Sequence, residues 1–448
     1  MSVEADAGTR RAVHRRERAR AHFPSTGVDL IISLTVAIVT ATLAWIRMNP
    51  VARGTMWAED GPVFSARSLD PSTQTAWVFT PYDGYTHALS QAVSNAVWAV
   101  VPLPDIAAAF TLAACLIAGS VAALVYLLTA SWRLHIVGRL LLALTTVCVP
   151  NATFEVLGNL ANAHWFLLWL APFLFLFRPR SWVTSAAAAI GVFVVTTSEI
   201  QSLLFAPLVL VGVRSIRKIP MIAALALGAV IQLLAYVQGS RERGTPPDWL
   251  AVVDGYFLHA PLTGLTGVGQ GSSTLVAYSG WGIAYAAILP FLVCAIWFSR
   301  GSRRRAYLAI ILGAASVILW VAGFAINYHI SFDYPDYSDS ELTRGVAQLR
   351  YAIVPTMLLF AFVALAVGRA LRVRTERRAA IAVAVLCLFV FVAGFHVSDG
   401  GVRANGPAWA TEIADAKTTC SSLPDADVDI ALSPEPWKLT IPCERILE

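Results

Sequence analysis

Long apolar runs recur along this chain, and a hydrocarbon core about 30 Å thick is what runs of that length fit. Spans are read at about 28–47, 105–130, 134–150, 162–177, 182–198, 201–213, 219–238, 279–298, 306–327, 347–368 and 379–397. Only 14% of the residues are charged, against roughly 25% in a soluble domain, so charge is too scarce to cover a water-facing surface. The expected fold class is therefore an all-α polytopic membrane protein with about eleven transmembrane helices. The run 201–213 is too short to cross unaided and reads as a half-buried or shielded helix.

Charge placement predicts the orientation. Residues 1–27 form a basic N-terminus carrying Arg10, Arg11, Arg15, Arg16, Arg18 and Arg20, with no apolar stretch inside it. The first apolar run, Val28 to Ile46, has no small-residue cleavage site after it and reads as a retained signal-anchor. With the N-terminus in the cytoplasm, the short inner segments hold Arg133 and Arg139, Arg178 and Arg180, Arg214, Arg217 and Lys218, Arg300 and Arg303 to Arg305, and Arg369, Arg372, Arg374, Arg377 and Arg378. That places 22 basic residues inside and 11 outside, and the acidic residues divide the other way, 5 to 23. Short Lys/Arg-rich loops stay in the cytoplasm, and six segments agree. The expected location is the inner (plasma) membrane, with the C-terminus outside. Arginine outnumbers lysine 30 to 3, which suggests a GC-rich genome more than a nucleic-acid partner.

In this orientation the outer face owns the long segments 48–104, 151–161, 239–278, 328–346 and the tail 398–448, and long loops are where function concentrates. The remainder, 28–397, is the transmembrane domain. Cys115, Cys148, Cys294 and Cys387 fall in spans as small buried hydrophobes. Cys420 and Cys443 lie in the outer tail, where disulfides form. Between them, Asp427 to Leu432 and Trp437 to Ile441 alternate as strands do around Ser433-Pro434-Glu435-Pro436, predicting a small strand pair closed by a Cys420–Cys443 bond.

The first outer loop opens with Trp57-Ala58-Glu59-Asp60-Gly61, two adjacent carboxylates just beyond the first span. Burial raises a carboxylate pKa and a cation lowers it; either arrangement suits a group that takes a proton from an attacking hydroxyl. Thr80-Pro81-Tyr82-Asp83-Gly84-Tyr85-Thr86-His87 follows, then an apolar stretch Ala88 to Val101 with polar Ser90, Gln91, Ser94 and Asn95. That stretch predicts a helix lying on or dipping into the outer interface.

This layout resembles the GT-C superfamily of integral-membrane glycosyltransferases, of the actinobacterial type, on the acidic pair at 57–61, more loosely on 81–87, and on the order of spans over nearly the whole chain. The resemblance implies a polyprenyl-phosphate-sugar donor, an envelope glycan, lipid or protein acceptor, and an acidic general base in the first outer loop. Glu59-Asp60 is the matching position, with Asp60 the first choice for base. Many members have the order Asp-Glu where this chain has Glu-Asp.

The other outer residues are read against that reaction. A departing phosphate calls for arginine: Arg350 first, at the start of the tenth span, then Arg344, with Arg241 and Arg243 as further candidates. The histidines outside or at outer span ends are His87, His164, His259, His329 and His396, of which His87 and His164 suit phosphate or sugar hydroxyls. Tyr82, Tyr85 and Tyr351 suit sugar binding. Glu155 and Glu199, in short outer turns, could orient acceptor hydroxyls, and Glu199 equally suits a helix cap. Asp333, Asp336, Asp339 and Glu341 lack the spacing of a calcium loop and read as a solvated acidic loop. Thr263 to Ser273, with Gly264, Gly267, Gly269 and Gly271, lacks the lysine of a phosphate-binding loop. No cofactor is implied; a divalent cation is possible but has no ligand pattern behind it.

Three function classes fit a chain of this kind. A lipid-linked sugar flippase or transporter tends to carry repeated halves and mid-span charge, and neither is evident. A non-catalytic assembly subunit leaves Glu59-Asp60 merely interfacial. The acidic pair and the large outer loops favour the glycosyltransferase.

Overall fold

The computed structural model describes residues 26–70, 77–152, 155–239, 246–267, 270–329, 332–346, 349–395 and 402–448. The N-terminal arginines, Arg241, Arg243, Gly269 and His396 fall outside these. The chain is mostly helical. Among the described residues, six helices are long and apolar enough to cross a membrane: Gly27–Ile46, Leu103–Trp132, Ile216–Gln238, Gly282–Ser299, Arg303–Ile326 and Arg350–Ala370. The other apolar runs form shorter elements. Ile136–Cys148 and His164–Leu176 have 13 residues each, about 20 Å of helix, and Trp182–Ser198 and Arg377–Ala393 have 17. The run expected at 201–213 is a 3-10 helix, Ile200–Leu210, broken by Pro207.

The helices pack through small residues, as they do where lipid supplies no contrast in polarity. A Cβ on Gly138 would lie 2.4 Å from the Gly368 Cα, so the 136–148 and 353–370 helices touch backbone to backbone. A Cβ on Gly119 would meet the Ala37 carbonyl at 2.5 Å, which brings the 106–128 helix as close to the first. The last candidate span is 94% buried inside the bundle, whereas Ile216–Gln238 is 28% buried and turns Leu227, Val230, Leu233 and Leu234 outward. The first is the axis of the fold and the second belongs to its rim.

Buried cations close the helix ends. Arg47 is fully buried and donates to Val147, Val149, Pro150 and Gly394 carbonyls where the 136–148 and 377–393 helices stop; those terminal carbonyls have no partner within a helix. At the other end of the first helix, Arg139 Nη2 lies 3.2 Å from Asp29, which also accepts from the Tyr126 hydroxyl.

The C-terminal residues form a separate cap. Helix Trp409–Ser422 leads to an antiparallel hairpin, β1 (Asp427–Ala431) and β2 (Lys438–Pro442), in which Ile430 faces Leu439 and Val428 faces Ile441. Cys420 and Cys443 are disulfide-bonded, as the alternating strands and the outer placement predict. One face of the hairpin is buried, with Ile430, Leu432, Leu439 and Ile441 against Met56, Trp98 and Trp409. Backbone bonds join the cap to the first long loop: Ala58 N–H donates to Ser433 O at 2.7 Å, and Ser433 N–H to Met56 O at 3.1 Å.

The Ala88–Val100 helix forms where an interfacial helix is expected, but its polar side chains turn inward. Ser90 donates to Leu160 O, Gln91 to Thr80 O, and Ser94 bonds Ser68. Loop carbonyls buried beneath it need donors, and that need outweighs contact with water or headgroups.

Candidate functional site

Glu59 and Asp60 share one 3-10 turn, Ala58–Asp60, clamped from outside by the Ser433 backbone, and the turn sends their side chains different ways. Asp60 turns into the protein, 2% exposed, where its carboxylate accepts N–H bonds from Ala161 at 2.8 Å and Leu160 at 3.2 Å. Burial pushes its pKa up to about 7, against the pull of those two N–H groups and of the Arg403 guanidinium. Glu59 instead borders a cavity of about 740 Å³. Its Oε1 lies 3.8 Å from Arg350 Nη1, and its Oε2 has no hydrogen-bond partner among the described residues. Asp60 is not on the cavity wall, and the geometry leaves Glu59 as the member of the pair that borders it.

The polar part of the cavity gathers residues from several segments besides Glu59. Tyr82, Tyr85 and His87 arrive on a tight turn in which Tyr82 and Tyr85 exchange backbone bonds, and Asp83 (φ 51) and Gly84 (φ 83) take the left-handed conformation such a turn requires. The turn is anchored through Thr86, whose N–H donates to Gln232 Oε1 and whose hydroxyl donates to Thr197 O. Asn162, His164 and Trp165 come from the head of the His164–Leu176 helix, and Gln201 from the 3-10 run. Arg350 and Tyr351 stand at the head of the buried axial helix.

Apart from Asn327, much of the remaining lining is apolar. Tyr236 and Val237 end one candidate span, Ala322, Ala325 and Ile326 end another, and Pro246 and Pro247 lie between. Tyr236, Val237 and Ile326 are also exposed at 64%, 75% and 53% on the surface of the bundle. The cavity is thus lined both by ionic and hydrogen-bonding groups and by the exposed apolar ends of two candidate spans.

Electrostatics sharpen the assignments. Glu155 is not on the cavity wall; it accepts the Arg350 backbone N–H, and burial holds its pKa above the usual carboxylate range while the Arg350 charge opposes the rise. His87 is 3% exposed, and neither ring nitrogen has a hydrogen-bond partner among the described residues. Burial, with His164, Arg67 and Arg350 nearby, lowers its pKa well below the ordinary value. Burial pushes the Tyr82 phenol up to about 12, helped by Glu59 and Asp83.

His164 and Glu199 form a buried pair, with Nδ1 of His164 on Glu199 Oε2. The other Glu199 oxygen accepts the Gln201 N–H at 2.7 Å, so Glu199 is a helix cap and an imidazole partner at once, and it reaches no cavity space itself.

Other candidates lie elsewhere. Arg344 is exposed on the short helix Asp339–Arg344, bonds Ser340 O, and does not border the cavity. His259 is buried against Trp320, bonds the Tyr334 hydroxyl at 2.9 Å, and burial lowers its pKa to about 3. His329 is exposed. Glu341 closes a capping box with Ser338. Among the described residues no group of three His, Cys, Asp or Glu side chains is placed to hold a metal ion.

One residue that sequence reasoning passed over holds the site together. Arg403 is 6% exposed and donates to the carbonyls of Ala52, Thr55, Leu157 and Gly158 and to the Thr111 hydroxyl. It joins the cap to both loops that shape the acidic turn, within electrostatic reach of Asp60. A lone arginine in a polar tail carries no signal of this in the sequence. No family model matches the chain, and no curated protein matches it in sequence.

Proposed function

We propose that this chain is a polytopic glycosyltransferase of the GT-C kind, moving a hexose or pentose from a polyprenyl-phosphate donor to an envelope glycan, lipid or protein on the outer face. The shorter apolar helices complete a bundle of about eleven membrane-embedded helices, the N-terminus is cytoplasmic, and the cap is extracytoplasmic. The observation that carries the reading is the mixed lining of the cavity. A carboxylate and an arginine meet on its wall, and the exposed apolar ends of two candidate spans line it as well. A prenyl chain fits along the apolar lining, with its phosphate against Arg350.

In the reaction, the acceptor hydroxyl oxygen bonds to the sugar C1 as the bond from C1 to the phosphate oxygen breaks. Glu59 takes the hydroxyl proton, and polyprenyl phosphate departs with the electron pair. Arg350 suits the leaving group because a guanidinium can bind two phosphate oxygens together. Its existing contact to Glu59 keeps both groups in place before the donor arrives.

The test is transfer itself. Purified full-length protein given radiolabelled polyprenyl-phosphate sugar and envelope acceptor is expected to form a labelled glycosidic bond and release polyprenyl phosphate. Label that crosses a liposome bilayer with no bond formed would identify a flippase instead.

A further inference from the structure

We infer that His164, fixed by Glu199, forms a sugar-hydroxyl recognition site within the cavity, separate from the Glu59–Arg350 pair. The inference rests on the lipid-phosphate-sugar reading and adds to it the part of the substrate that sets specificity.

A carboxylate oxygen can only accept, so the imidazole nitrogen against Glu199 Oε2 carries the proton. In the neutral ring this is the Nδ1–H tautomer, which leaves Nε2, with its lone pair, as the nitrogen for the cavity that the ring borders. Glu199 is held in its turn by the Gln201 N–H and is 1% exposed, so the pair has little freedom to rearrange. Flat rings surround the imidazole: Trp165 with its centroid 4.6 Å away, His87 at 5.2 Å and Tyr85 at 6.2 Å. A hydrogen-bond acceptor of fixed tautomer among aromatic faces suits a hydroxyl donor on a ring with apolar C–H faces. The ligand class is therefore a sugar hydroxyl. A site built to pair a hydroxyl discriminates because its polar atom is otherwise left unpaired.

Two measurements on the full-length protein in detergent test this. Histidine ¹⁵N NMR, with His164 assigned from the resonance lost in His164→Phe, is expected to show Nδ1 protonated and Nε2 bare. The reverse tautomer would overturn the site whatever the substrate. Calorimetric titration then compares short-chain prenyl phosphate with the same lipid bearing each of a panel of neutral hexoses and pentoses. At least one sugar is expected to tighten wild-type binding over the bare lipid, and His164→Phe to remove roughly tenfold of that gain while binding the bare lipid as before. A sugar gain that survives in His164→Phe overturns the recognition site and leaves the lipid-phosphate reading standing. Failure of wild type to bind either lipid overturns both.

Discussion

Glu59 Oε1 lies 3.8 Å from Arg350 Nη1, so the first long loop and the head of the most buried candidate span meet in one ion pair on the cavity wall. Neither partner is fully enclosed: their side chains are 12% and 29% exposed. The pair therefore remains reachable by a charged ligand that competes for the arginine. Glu155 holds the Arg350 backbone from behind, which fixes where the guanidinium begins.

Replacing Arg350 with Met removes the cation and leaves Glu59 on the cavity wall without it. Affinity for prenyl phosphate is expected to fall about a hundredfold, in line with truncating one partner of a buried charge pair. Arg350→Lys keeps the charge but loses the planar fork and is expected to fall in between. Titration with prenyl phosphate checks both.

Asp60 predicts a pH dependence of stability. Its pKa rises from the ordinary 3.8 to about 7 on folding, so between those values the folded chain holds a proton that the unfolded chain has released. Stability then falls as pH rises through that window, and the loss is complete above about 7. The wild-type melting temperature in detergent is expected to drop from pH 5 to pH 7.5. Asp60→Asn, which cannot ionise, is expected to show a flatter profile over the same range, from a lower starting point because its NH2 replaces one of the two oxygens that accept the Leu160 and Ala161 N–H bonds.

The disulfide holds the cap that clamps the acidic turn. Cys420→Ser with Cys443→Ser opens a crosslink spanning 23 residues and is expected to cost roughly 2–4 kcal/mol of cap stability. Limited proteolysis should then cut first between residues 420 and 443, and transfer should fall although no cavity residue has changed.

Arg403→Met removes the guanidinium that donates to four buried carbonyls and is expected to cost about 3 kcal/mol. Thermal unfolding followed by tryptophan fluorescence checks the loss. Arg403→Lys, which retains the charge but fewer donors, should recover part of it.

How much of this was legible in the sequence depends on the length scale of each feature. Apolar runs and the Cys420–Cys443 hairpin are local patterns, and β1 and β2 lie within a residue of where alternation puts them. The run at 201–213 is a short element, Ile200–Leu210, but its 3-10 path, with Pro207 inside and Glu199 as its cap, is not a feature that apolar length displays. The acidic pair was visible, but which carboxylate enters the cavity is decided by the Leu160 and Ala161 N–H groups, a hundred positions along the chain. The same holds for His164 and Glu199, each an ordinary span-end residue until packing joins them. Arg403 was illegible because its partners are backbone carbonyls, which have no sequence signature.

The central claim is that Glu59, and not its neighbour, takes the proton. Transfer of radiolabel from polyprenyl-phosphate sugar is measured for wild type, Glu59→Gln and Asp60→Asn, each matched for folding by its melting profile. Glu59→Gln is expected to fold as wild type and lose at least a hundredfold in transfer rate, while Asp60→Asn, though less stable, retains measurable transfer at low temperature. Undiminished transfer by a folded Glu59→Gln protein, or a complete loss confined to a folded Asp60→Asn, would contradict it.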